Sequence, residues 1–291
     1  MGAGLAASAA PAFAAARTLT VAYAGSMGVL MDRGLGPAYE KSARTRFRGI
    51  GKGAFALAHL LEAGTMKADV FVSITEGPMK LLQKAGLIGK AVPVAATAMV
   101  LAYSTKSRFA KQLESAVKGR IPWYKVMGEE GFRFGRTDPR TDPQGRNILF
   151  TFQLAGRYYH HPRAIPALLG LPVNPRQIFT EPSLLARLTA GELDAASAYE
   201  SGAKSLNLPF VPLPPQINLG DPAMARNWYD RAAITLTVKG KPRTVHPEPL
   251  VFYAAALKNA ANPQGAADFL RLMAGRQGQA IFRRHGYNPA P

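Results

Sequence analysis

The stretch GRTDPRTDPQGRN, residues 135–147, follows the strand-like run FRF and opens an apolar helical pattern that continues to about residue 159. Proline fixes φ and lacks an N–H, so it suits the first position of a helix. An aspartate just before it can accept from the unpaired N–H groups of the first turn. Asp142 and Pro143 fit that pairing, and Asp138 with Pro139 reads as a turn. Residues 132–159 therefore spell strand, turn and helix, the unit from which open α/β sheets are built. Such a helix start also offers free backbone N–H groups to an anion. The aspartates then pose a question, because a carboxylate repels anions.

The same unit recurs on both sides. TLTVAYAGSMG, residues 18–28, is a buried strand entering a small-residue turn at Gly25 and Ser26, with Leu30, Leu35 and Tyr39 on the helix that follows. RTRFRGIGKGA, residues 44–54, is a basic strand ending in a glycine turn, and the helix FALAHLLEAG stops at Gly64. Downstream come QIFTEP, the helix SLLARLTAGE and the strand LDAASAY. This alternation predicts a parallel sheet with helices on its faces, present as two α/β sets with the second inserted into the first. Long strands near Met99 and Ile234 are the expected crossings. The lobes are then residues 17–97 with 232–291, and residues 98–231. A chain of 291 residues is long enough for two lobes.

Composition narrows the function. The chain has 36 Lys+Arg against 18 Asp+Glu, a formal charge of +18. Those basic residues are spread along the chain, which suits general attraction of anions better than a nucleic-acid stripe. With no cysteine, disulfides, thiolate metal sites and cysteine nucleophiles are excluded. The first sixteen residues, MGAGLAASAAPAFAAA, read as the apolar region and small-residue end of a secretory signal, with cleavage before Ala15 or Arg17. A signal of this kind implies export; a membrane tether is compatible with it.

Four strand-to-helix turns carry the candidate chemistry: Gly25-Ser26, Gly51-Lys52-Gly53-Ala54, Asp142-Pro143-Gln144-Gly145 and Thr180-Glu181-Pro182-Ser183. Singly, each is a helix cap. Together, in matching places of two α/β sets, they make a converging group of helix N-termini. Asp142 and Glu181 can also be read as a glycosidase-like acid/base pair, though nothing in the sequence sets their separation. His160 and His161 read as a solvated helix end. There is no Walker loop, nucleophile elbow or zinc motif.

YAGSMG, LLEAGTMKADVFVSI, GRTDPRTDPQGRNILFTFQLAGRYY, LLARLTAGELDAASAYESGA, LPPQINLGDP and GQAIFRRHGYNPAP together resemble the periplasmic molybdate/tungstate-binding proteins of ABC importers, in their tungstate-type branch. The resemblance covers nearly everything after Arg17, and the long block from residue 135 with LPPQINLGDP is its most specific part. It implies a type II periplasmic-binding-protein-like fold, two lobes joined by two crossing strands that close over an oxyanion. It further implies that Ser26 donates its hydroxyl, Gly53 or Ala54 and Gln144 donate backbone N–H groups, and Tyr199 donates its phenol. Asp142 and Glu181 would ligate the metal centre of the anion. Family members often have a second serine where this chain has Gly53 and Ala54.

The resemblance also answers the question of the aspartates. Molybdenum(VI) and tungsten(VI) are hard centres that accept more than four oxygens, so carboxylates can become ligands to them while repelling sulfate and phosphate. The expectation is an exported, periplasmic, monomeric protein that captures molybdate or tungstate for a permease of the inner membrane. It needs no cofactor, catalyses no reaction and binds no nucleic acid. The same fold holding another small anion, such as sulfate, phosphate or an organic anion, is one alternative. A polyanion-binding protein is the alternative of a different class.

Overall fold

The computed structural model describes residues 18–238 and 240–291; the expected signal segment, residues 1–16, lies outside them. The strands are β1 (Thr18–Ala24), β2 (Arg46–Lys52), β3 (Val70–Ile74), β4 (Val92–Ala96), β5 (Met99–Tyr103), β6 (Phe134–Gly135), β7 (Ala195–Tyr199), β8 (Phe210–Val211), β9 (Ile234–Val238), β10 (Lys241–Val245) and β11 (Val251–Ala256). They form a five-stranded sheet of order β2-β1-β3-β11-β4, a four-stranded sheet of order β6-β7-β5-β8 and a β10-β9 ribbon.

The expectation of wholly parallel sheets holds only in part. β1 is parallel to β2 and β3, but β11 runs antiparallel to both its neighbours. In the second sheet β5 is antiparallel to β7 and β8, and only β6 and β7 run parallel. The reason is connectivity. A strand that enters a sheet directly from the other lobe has no crossover helix to reverse it, so it arrives against its neighbours.

AATAMVLAYS reads as one long strand, yet it divides into β4 and β5, which belong to different sheets. The first passage between the lobes is therefore at Thr97 and Ala98. Beside it runs the return passage, tied by a bond from the Thr97 N–H to the Leu250 carbonyl. The strand near Ile234, expected to carry that return, pairs only with β10. That ribbon is held to the helix Pro143–Tyr158 by reciprocal bonds between the Gln153 amide and the Ala233 backbone. It packs with second-sheet elements, so the return is corrected from the neighbourhood of Ile234 to that of Leu250.

Of the helices, α1 (Ala54–Glu62), α2 (Pro143–Tyr158), α3 (Glu181–Ala190) and α4 (Glu200–Ser205) position the site. α2 buries an unusually complete apolar face, including Ile148, Phe150 and Phe152, against the main core. Fully burying each such side chain is worth about 1.5–3 kcal/mol. α3 covers the opposite face of the second sheet, where Leu184 and Leu188 meet Ala102, Leu193 and Ala196 in a small separate cluster. Gly191 ends α3 in the left-handed region at φ 85°, where a glycine carries no Cβ penalty.

Candidate functional site

The turns at Gly25 and Gly53 sit at the carboxyl ends of β1 and β2, where open α/β sheets hold their ligands. The expected strand QIFTEP is reduced to a single parallel bridge between Ile178 and Arg136, and the turns at Asp142 and Glu181 enter their helices from loops. Gly25 and Ser26 follow β1 in a short 3-10 turn, and Gly53 sits between β2 and the first residue of α1, Ala54. From the second sheet, Asp142 caps α2, Glu181 begins α3 and Tyr199 ends β7. Ser26, Gly53, Ala54, Asp142, Gln144, Glu181 and Tyr199 all line one cavity of about 300 Å³ between the two sheets, with Lys52 on its rim. The walls approach closely. A Cβ placed on Gly25 would lie 3.8 Å from the Lys52 carbonyl and 3.9 Å from Glu181 Oε2, and one on Gly53 would lie 3.7 Å from the Thr141 carbonyl.

The helix start at Asp142 is built as its sequence suggests. Asp142 Oδ1 accepts from the Gln144 N–H at 2.8 Å. This differs in one respect from the expectation, because the Gln144 N–H assigned to the ligand is engaged by Asp142. The Gln144 side chain instead ties α2 to the second sheet, its Nε2 donating to the Ser197 carbonyl at 2.8 Å. Gly145 is required for the loop to fold back on the helix, since a Cβ there would meet the Thr137 carbonyl oxygen at 2.3 Å. Asp138 stays out of the cavity. Its carboxylate accepts from the Arg140 guanidinium at 2.6 Å and from the Arg140 N–H at 2.9 Å, the turn role read for it.

Two acids thus face one small space. Burial pushes the Asp142 carboxyl above the usual aspartate range, and the bond from the Gln144 N–H only partly offsets this. Glu181 is exposed as a residue, while its carboxyl group turns toward the Gly25 turn across the cleft. Desolvation of that group, and next the negative charge of Asp142, push Glu181 up to about 7. Tyr199 is buried, its phenol held well above its ordinary value by burial first and by Asp142 next. Its oxygen accepts from Asn147 Nδ2 at 3.1 Å. Asn147 and Ser197 are the supporting residues that sequence reasoning missed. Asn147 closes the GRTDPRTDPQGRN stretch, so the signal was its place one helical turn beyond Gln144.

Among the described residues, no cluster of three or more His, Asp or Glu side chains could hold a metal cation. What the cavity offers is different: two carboxyl groups, a serine, a tyrosine, helix N-termini and a lysine at the rim. Helix starts and hydroxyls hold the oxygens of an anion, and carboxylates reach a hard centre within it.

The model of the family described as bacterial extracellular solute-binding protein matches residues 19–288. The chain belongs to that family. That description is of solute-binding proteins and not of an enzyme family. Among curated relatives, the molybdate/tungstate-binding protein WtpA of Pyrococcus abyssi is 30% identical over 206 residues, 64% of this chain and 58% of that protein. An uncharacterized solute-binding protein of Saccharolobus solfataricus is 28% identical over 280 residues, 90% of this chain and 68% of that protein. The chain thus spans less than two thirds of the Pyrococcus relative's length. Among solved structures, the periplasmic molybdate-binding protein of Azotobacter vinelandii superposes with a TM-score of 0.63 at 16% identity, covering 94% of this chain and all of that one. The sulfate-binding protein SubI of Mycobacterium tuberculosis superposes at 0.59 and 14% identity, covering 94% and 87%. These likenesses establish the two-lobed periplasmic-binding-protein fold of this solute-binding protein. Among its described residues, no helix is long and apolar enough to cross a membrane.

Proposed function

We propose that this solute-binding protein captures molybdate or tungstate between its lobes and delivers it, as a periplasmic monomer, to an ABC permease of the inner membrane. The observation that carries the reading is the pair Asp142 and Glu181 in an otherwise anion-friendly cavity. Toward sulfate or phosphate, two carboxylates are a penalty unless a proton is shared. Toward a molybdenum or tungsten centre, they are ligands that complete a six-oxygen shell. The relatives named for molybdate and tungstate support the same choice. Ser26, Gly53 or Ala54, and Tyr199 would donate to the oxo groups. Gln144 would share its N–H between the ligand and Asp142. Lys52 and the net positive charge offset the excess negative charge and draw the anion in. Lobe closure about the paired passages at Thr97 and Leu250 would seal the site.

Native mass spectrometry of the protein exposed to an equimolar mixture of molybdate, tungstate, sulfate and phosphate tests this reading. A bound mass of molybdate or tungstate is expected; a bound mass of sulfate or phosphate contradicts it.

A second reading has its own support. An apolar cavity of about 390 Å³ adjoins the polar one and shares Ser26, Gln144, Glu181 and Tyr199 with it. Its other walls include Val29, Leu184, Leu188 and Leu206. A bare oxyanion has nothing to place there, whereas an organic anion with an apolar body does. Retention of such an anion in the mass spectrum would favour the second reading.

A further inference from the structure

Two side-chain amides on α2, one helical turn apart, reach two residues on one face of β7. Gln144 bonds to the Ser197 backbone, and Asn147 Nδ2 lies 3.1 Å from the Tyr199 hydroxyl. Asn147 and Tyr199 are only 5% and 4% exposed, so water does not stand in for either partner. A phenol has one proton and donates once. The direction of the Asn147 contact therefore decides what Tyr199 can offer to the cavity.

If the amide donates, the hydroxyl proton is left for the cavity. If the amide oxygen accepts, that proton is consumed and Tyr199 turns only lone pairs toward Asp142 and Glu181. The charges decide between these. Asp142 and Glu181 both act on Tyr199 to hold its proton in place, and lone pairs aimed at carboxylates would be repelled. The donating amide is the arrangement that the surroundings favour, and it is the one that the structure holds.

We propose that Asn147 is a positioning residue: by donating to the Tyr199 oxygen, it aims the Tyr199 proton into the cavity and makes the tyrosine a donor to the bound anion. The inference rests on the cavity being the oxyanion site. Asn147 touches no ligand itself. Its effect on binding passes through one proton of Tyr199.

Three variants and one map test it. Asn147→Asp places an acceptor beside Tyr199 and captures the proton. Asn147→Leu, of similar size, removes the contact and leaves the proton free. Tyr199→Phe removes the donor. Calorimetric titration with tungstate should find Asn147→Leu weaker by about three- to tenfold, because the proton is no longer aimed, and Tyr199→Phe weaker by about tenfold or more, the scale of one hydrogen bond to a charged group. Wild-type affinity in Asn147→Leu would overturn the positioning role. Asn147→Asp also adds a charge, so its loss is measured in both backgrounds. It should cost about tenfold more in the presence of Tyr199 than in Tyr199→Phe, because only the former has a proton to lose. Equal losses in the two backgrounds would mean that Asn147→Asp acts by charge alone, and would overturn the proposal. A neutron-diffraction map of the ligand-free wild type is independent of any ligand. A Tyr199 deuteron pointing into the cavity supports the proposal, and one pointing at the Asn147 side-chain oxygen overturns it. Failure of wild type to bind tungstate or molybdate would defeat the oxyanion reading, and the map would still decide the direction of the contact.

Discussion

At the residue scale, the site sets two carboxyl groups against each other and against burial, and Glu181 shows the consequence most clearly. Its folded-state value of about 7 lies above the ordinary 4.5. A group raised in this way favours the folded state while it carries its proton. That contribution is fully present below about 4.5 and is lost as pH rises through about 7. Glu181→Gln, which keeps the shape and cannot ionise, should therefore melt with wild type at about pH 4.5 and above it at about pH 8, in ligand-free thermal scans. Ligand binding should respond in the opposite sense. Asp142→Ala and Glu181→Ala should each weaken tungstate binding about ten- to a hundredfold by calorimetry while leaving the fold intact; normal binding by both would misplace the site. A carboxylate ligand must also shed its proton, so tungstate affinity should fall as pH drops from about 8 to about 6. Affinity that instead rises would mean that Glu181 donates as a neutral acid. Much of this site is legible in the sequence, because helix caps and strand-end turns are local signals. Asn147–Tyr199 and Gln144–Ser197 are not, since each joins residues more than fifty positions apart.

At the scale of elements, the strand-turn-helix grammar around residue 142 reads correctly because Asp142, Pro143 and Gly145 each act within a few residues. Gly145 shows how tight that turn is. A Cβ on Gly145 would lie 2.3 Å from the Thr137 carbonyl oxygen, so Gly145→Ala must move backbone. It should destabilise the protein by about 1–3 kcal/mol, the usual cost of overpacking, and weaken anion binding with it. Gly202→Ala in α4, where a Cβ meets nothing within 4 Å, is the contrasting control. It should leave stability unchanged or raise it by up to about 1 kcal/mol, alanine being the better helix former. Chemical denaturation of the two variants decides this; equal effects would mean that the loop yields. The elements that misled are those whose partners are remote. A largely apolar run such as residues 95–104 hides where it changes sheets, because both halves are buried to the same degree and Thr97, the lone polar residue at the passage, is no turn signal. β9 likewise has strand-like residues, and only its partner, β10, shows that it joins neither main sheet.

At the scale of the whole molecule, the two sheets meet over the polar cavity and its apolar neighbour, and the lobes are joined by passages that run side by side at Thr97 and Leu250. A ligand that bridges the lobes binds the folded chain and not the unfolded one. Tungstate at about a hundred times its dissociation constant should then stabilise the protein by about 2.7 kcal/mol, read as a rise in melting temperature of about 5–10 °C. The formal charge of +18 raises the local concentration of any anion, so it cannot by itself supply selectivity. On the proposed reading, selectivity comes from Asp142 and Glu181. The most direct measurement is calorimetric titration of the ligand-free protein with tungstate, molybdate, sulfate and phosphate, each at the same pH and salt. Tight binding of tungstate or molybdate, with sulfate and phosphate silent, is the predicted result; tight sulfate binding would contradict the assignment of the carboxylates as ligands.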